Sequence, residues 1–361
     1  MPTVPAGGLI LVTGANGYVA GITIQTLLDR GYRVRGTVRD VSKHSWMQSH
    51  YGANFSLTSI PEMSAPGAFD EAVKDVDGVA HIASNIKWVA DPKDYIPELV
   101  RSAVGLLESA AKEPSVKSVV YTSSQAACVE LTDLGKPYHL TPWTYNQGCK
   151  AAWTLPPSED LPRKLLNYMC GKVEADQGCF NWVKEHKPKF TFNVVVPNIN
   201  FGTMVNPKET GFISSSGILQ QVWLGQTGIA QMIPPEWYVD VEDCALLHAA
   251  VLTLEGVENE RILAFGQRFG YNDLLDIFKK AVPEKEFLDK VEEAPDVGTV
   301  ENERGAELLK KMGKENGFST LEEGVKKWIP WMLKAEKEGW AMPKSLAEET
   351  LEGGADGQKA S

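Results

Sequence analysis

Cysteine is scarce in this chain and forms no pattern. The five cysteines, Cys128, Cys149, Cys170, Cys179 and Cys244, are an odd number, and no two are spaced as Cys-x-x-Cys. This argues against a disulfide framework and a zinc cluster, and it implies reduced thiols in a cytoplasmic setting. The six histidines show no ligand spacing, so no metal is expected. No apolar run approaches the length of a membrane span. The start, Met1 to Gly8, lacks the basic region and apolar stretch of a signal peptide. Positive charge is in deficit: 36 Lys and Arg against 47 Asp and Glu leave a formal charge of −11. Nucleic acid and anionic membranes are therefore poor candidates as partners. No internal repeat is visible.

What the chain does have is 43% hydrophobic residues over 361 positions, enough for a full core in one large or two intimate domains. Leu9 to Val12 reads as a buried strand. Val19, Ile22, Leu27 and Leu28 then recur with helical spacing, and Gly31 ends the helix. Strands are expected over 33–38, 55–58, 78–82, 118–122 and 190–196. Helices are expected over 68–76, 103–111 and 173–185. This alternation predicts an α/β fold, a Rossmann-type doubly wound parallel sheet. A smaller, mostly helical C-terminal substrate-binding domain completes it. The expected division is 1–200, with 236–266 returning to it, against 201–235 and 267–340; 341–361 is a flexible tail. The Pro- and Trp-rich stretch 131–163 reads as a long loop beside the site. A helix over 244–254 is expected to be capped by Asp243.

The turn Thr13-Gly14-Ala15-Asn16-Gly17-Tyr18-Val19-Ala20 follows the first strand directly. Gly14 permits the tight turn and Gly17 lets a pyrophosphate approach the backbone, whose helix N-terminus favours its charge. Asn16, Tyr18 and Val19 complete the cradle. The third position is Ala20 rather than Gly; it serves helix–sheet packing, where a methyl group is tolerable. At the end of the second strand an NAD site has a carboxylate and an NADP site a cation. Here Arg39 and Lys43 supply the cations, and Asp40 is expected to point away. The cofactor expected is therefore NADP(H).

Among ten tyrosines only Tyr168 has lysine four positions on, at Lys172. That spacing puts both on one helix face. A phenol of pKa near 10 is a poor acid–base group at neutral pH, and a neighbouring lysine with an oxidised nicotinamide favours its phenolate. Tyr168 is the expected proton donor to a carbonyl, with Lys172 tuning it and holding the ribose. Ser124, past the fifth strand, would bond the substrate oxygen. Cys170, between them, is not expected to be catalytic.

These stretches resemble the extended short-chain dehydrogenase/reductases, and more narrowly plant dihydroflavonol reductases and fungal aldehyde, methylglyoxal and ketone reductases. The resemblance is carried by 12–20, Arg35 to Asp40, Gly67 to Asp70, His81 to Ser84, Val119 to Ser124, Tyr168 to Lys172, Pro197 to Gly202 and Tyr238 to Val241. It implies that Ser124 rather than Ser123 is catalytic and that Glu62 and Met63 lie beside adenine. Ala83, Ser84, Pro197, Asn198, Ile199 and Asn200 are implied cofactor contacts. Ile86, Trp88, Val129, Trp143 and Phe201 are implied substrate walls. Gly105 stands where the family often has Asn, and Ser84-Asn85-Ile86-Lys87-Trp88 departs from its usual Ser-Pro-Phe. The activity implied is NADPH-dependent reduction of a small-molecule carbonyl by a monomer or homodimer. The alternatives are an imine reductase, a nucleotide-sugar epimerase or dehydratase, and a silent NADP sensor.

Overall fold

Short apolar runs with no polar alternation build the centre of the molecule. The computed structural model describes residues 3–85, 89–130, 133, 135–226, 228 and 234–340. In chain order the strands are β1 (Leu9–Val12), β2 (Arg33–Val38), β3 (Phe55–Ser59), β4 (Gly78–His81), β5 (Ser118–Thr122), β6 (His139–Leu140), β7 (Thr191–Pro197), β8 (Ile199–Phe201), β9 (Glu236–Asp240), β10 (Arg261–Ala264), β11 (Gln267–Phe269) and β12 (Thr299–Val300). Four helices concern the site: α1 (Tyr18–Asp29), α2 (Trp46–Tyr51), α3 (Pro92–Lys112) and α4 (Leu161–His186).

Seven parallel strands form the main sheet in the order β10-β7-β5-β4-β1-β2-β3. The chain runs outward through β2 and β3, then restarts at β4 on the other side of β1. The crevice between the ends of β1 and β4 is thus the switch point at which such sheets bind ligands. Both faces of the sheet are covered. Ile10, Val12, Ala80, Val120 and Val195 are buried with α1 and the helix Val241–Thr253. Leu11, Val79, Val119, Val194 and Val196 are buried with residues of α3 and α4. Burial on both sides explains why the strands read as continuous apolar runs. A second sheet, β11-β9-β8, joins a C-terminal core of Phe201, Trp223, Tyr238, Phe278 and Trp328.

Several expected elements differ. Residues 68–76 form successive turns, not a helix; Asp75 at φ 60° breaks the spiral, although Phe69, Ala72, Val73 and Val76 are still buried. α3 begins eleven residues before the expected start, capped by Asp91 and opened by Pro92. The stretch 131–163 is not one long loop. It contains β6, which pairs with β12, and a 3₁₀ helix, Gly148–Trp153. Asp240, not Asp243, caps the helix that follows β9, accepting the Glu242 N–H at 2.8 Å. Asp243 instead accepts the Ser319 N–H at 2.6 Å. Helices Tyr271–Ala281, Glu303–Lys311 and Leu321–Glu338 fit the helical expectation for the C-terminal part. The expected tail lies outside the described residues.

Candidate active site

The ends of β1, β2, β4, β5 and β7 open onto a cleft of about 890 Å³, the size of a cofactor site. Gly14 has φ +68°, and a Cβ there would come within 2.9 Å of the Ala83 Cβ, so only glycine lets β1 and β4 close up. Thr13 holds the far side: its Oγ1 accepts the N–H groups of Ile82 and Ala83, each at 3.0 Å. Gly17 turns the chain into α1, whose first turn carries no acidic residue, leaving its N-terminus open to an anion.

The expected cofactor residues Gly14, Asn16, Gly17, Tyr18, Val19, Arg39, Lys43, Glu62, Met63, Ala83, Ser84, Pro197, Asn198, Ile199 and Asn200 all line this one cleft. Tyr18 is largely buried and its hydroxyl donates to the Gly202 carbonyl at 3.0 Å, so it braces the cradle through the protein. Arg39 and Lys43 are exposed at one end. Asp40 borders the cleft too. Its Oδ1, however, accepts from Ser42 N–H at 3.0 Å and Ser42 Oγ at 2.6 Å, which caps the 3₁₀ turn Val41–His44. Those hydrogen bonds hold its carboxyl below the usual carboxylate range.

Ser124, Tyr168 and Lys172 line the same cleft. Tyr168 is half-buried and hydrogen-bonds the Ser124 side chain. Burial raises its pKa and the Ser124 contact partly offsets this, so the phenol is protonated without ligand. Lys172 is buried; its Nζ donates to the Thr122 carbonyl at 3.3 Å and lies 5.6 Å from the Tyr121 ring centre. Burial pushes its pKa down to about 8, leaving it mostly charged at neutral pH. The arrangement can present one proton, one charge and one hydroxyl to an oxygen in the cleft.

The expected substrate walls fare differently. Val129 is buried in the core beneath the sheet. Trp143 is exposed and meets Phe180 edge-on, on the outer side of α4. Phe201 is fully buried between Tyr238 and Phe269. None of the three lines the cleft: Val129 and Phe201 are taken up by the core, and Trp143 packs on Phe180 at the surface. Ile86 and Trp88 lie outside the described residues. The lining instead includes Glu98 and Ser102 on α3, Ile213, Ile218, Pro234 and Glu236. Glu236 is buried, burial pushes its carboxyl up to about 8, and its Oε2 has no hydrogen-bond partner among the described residues. The one sequence signal for it was a lone acid beside Pro and Trp. Gly105 offers no side chain to a proton relay.

Residues 10–263 match the model of the NAD dependent epimerase/dehydratase family. The chain belongs to that family. Among its curated relatives, the NAD-dependent epimerase/dehydratase terH of Aspergillus terreus is 36% identical over 338 residues, covering 90% of this chain and 96% of that protein. Aldehyde reductase 2 of Sporidiobolus salmonicolor is 34% identical over 329 residues, covering 89% and 95%. The yeast methylglyoxal/isovaleraldehyde reductase Gre2, solved as a complex with NADPH, shares the fold with a TM-score of 0.79 at 23% identity, covering 91% and 99%. The family match takes in the whole glycine cradle, the Ser124–Tyr168–Lys172 constellation and Glu236; the helices Tyr271–Ala281, Glu303–Lys311 and Leu321–Glu338 lie beyond it.

Proposed function

We propose that this chain is an NADPH-dependent carbonyl reductase for aldehydes or ketones. The observation that carries the reading is the Tyr168–Ser124 hydrogen bond, one helical turn from Lys172, on a cleft that ends at Arg39 and Lys43. NADPH supplies a hydride when bound. Gly14, Gly17 and the α1 N-terminus suit its pyrophosphate, and Arg39 and Lys43 its 2′-phosphate. Asp40, engaged with Ser42, is poorly placed to serve a free ribose 2′-hydroxyl. Lys172 has donors to spare for ribose hydroxyls. Ser124 orients the carbonyl oxygen, and Tyr168 gives it a proton as the oxygen gains charge. Ile213 and Ile218 form an apolar wall on the substrate side, with Pro234 and Glu236 beside them. A relative named for aldehyde reduction supports the substrate class.

The test is oxidation of NADPH and, separately, NADH against aliphatic and aromatic aldehydes, ketoesters and cyclic imines. Turnover at least roughly tenfold faster with NADPH is expected. Tight cofactor binding with no turnover of any carbonyl would overturn the reading.

A further inference from the structure

One helix holds the end of β5 at three successive residues. Tyr168 bonds Ser124, and Lys172 donates to the Thr122 carbonyl at 3.3 Å. One turn further, Asp176 Oδ2 accepts the Ser123 hydroxyl at 2.5 Å. Positions 168, 172 and 176 lie on one face of α4. The first two belong to the chemistry; the third does not touch the cleft. Asp176 and Arg261 of β10 are both fully buried and paired at 3.0 Å. The pair is bonded on every side: Asp176 Oδ1 accepts from the Tyr145 hydroxyl at 3.1 Å, and Arg261 donates to the carbonyls of Pro142 at 2.7 Å and Thr144 at 3.1 Å. Taking two charges out of water costs several kcal/mol, and a chain needing only adhesion could put apolar residues there.

We propose that Asp176, fixed by Arg261, is a positioning residue for the reduction: it clamps the end of β5 to α4 and supplies the negative charge that faces Lys172. This rests on the carbonyl-reductase reading above. The titratable groups facing Lys172 are His81 from β4, Tyr121 from β5, and Tyr168, Asp176 and Cys179 from α4. Burial keeps His81, Tyr121, Tyr168 and Cys179 neutral. Asp176, paired with Arg261 at 3.0 Å, is the carboxyl of the group, and it opposes the effect of burial on Lys172.

The test uses Asp176→Asn combined with Arg261→Met, because removing one partner alone leaves a buried charge uncompensated. Lys172 is titrated by NMR of ¹³C-labelled lysines in the ligand-free protein, assigned with Lys172→Arg. The double variant should lower the Lys172 midpoint from about 8 by roughly one pH unit. The alkaline limb of kcat/KM should move by the same amount, and kcat should fall about 10- to 100-fold. Asp176→Glu, with Arg261 intact, should recover most of both. A double variant that melts near wild type and keeps the Lys172 midpoint and kcat overturns the proposal. If that variant does not fold, Ser123→Ala decides: a kcat lowered about tenfold with NADPH affinity unchanged supports the clamp, and an unchanged kcat overturns it. If wild type reduces no carbonyl, the functional reading fails, while the Lys172 titration still decides this one.

Discussion

The hydroxyl of Thr13 lies 2.9 Å from Nδ1 of His81, across the switch point of the sheet. The same oxygen already accepts two backbone N–H groups, so its proton goes to Nδ1 and the imidazole carries its own proton on Nε2. Burial, with the Lys172 charge second, pushes the His81 pKa down to about 3, so the ring stays neutral and the bond is kept at working pH. Thr13→Val would strand the N–H groups of Ile82 and Ala83. A loss on the order of 1–3 kcal/mol of stability is expected, together with weaker NADPH binding, because Ala83 sits against Gly14. Thr13→Ser should keep both. Calorimetric melts and a cofactor titration would check this; an unchanged melt for the valine variant would refute the role.

Tyr168→Phe removes the proton and leaves the ring packing. Turnover should drop by roughly 10²- to 10⁴-fold, with NADPH affinity little changed. Because burial keeps the phenol protonated without ligand, reduction by wild type should not need acid conditions. Rates should instead fall as pH climbs through the Lys172 midpoint near 8, where the lysine loses its charge. Near-normal turnover by the phenylalanine variant would sink the assignment of the donor.

The parts of the fold legible in the sequence were those set by local pattern. β1 and β5 stand at the expected residues because a central strand buried on both faces carries an apolar run. The glycine cradle was legible because Gly14 fills a need that no other residue meets. What stayed hidden depends on partners distant in sequence. Pro92 and Pro97 mask the first half of α3, although the former only opens the helix. Val129, Trp143 and Phe201 are apolar enough to line a pocket, but their type does not reveal which face they take. Arg261 reads as surface charge until Asp176, 85 residues away, is brought to it.

Arg39 and Lys43 should set the cofactor preference. Both are exposed at the cleft edge, so their attraction for a 2′-phosphate is screened by salt. Arg39→Asp with Lys43→Ala should cut the NADPH-to-NADH ratio of kcat/KM by about 10- to 100-fold. Raising salt should weaken NADPH binding more than NADH binding in wild type and equally in the variant. An unchanged ratio would move the discriminating contact elsewhere, with Asp40 the next residue to test.

Glu236 should make the protein less stable as pH rises. Burial first, and the Asp296 charge second, raise its carboxyl from 4.5 in the unfolded chain to about 8 in the fold. Between those values the folded state holds a proton that the unfolded state has released, so stability falls with pH by up to about 1.4 kcal/mol per unit. Glu236→Gln keeps the shape and removes the titration. Its advantage over wild type should be nil near pH 4.5 and grow to a few kcal/mol near pH 8, seen as a melting temperature higher by several degrees. Denaturant unfolding of both proteins across that range reads the difference directly. A gap that stays constant with pH would mean that Glu236 is ionised in the fold, and would overturn its reading as a buried neutral acid.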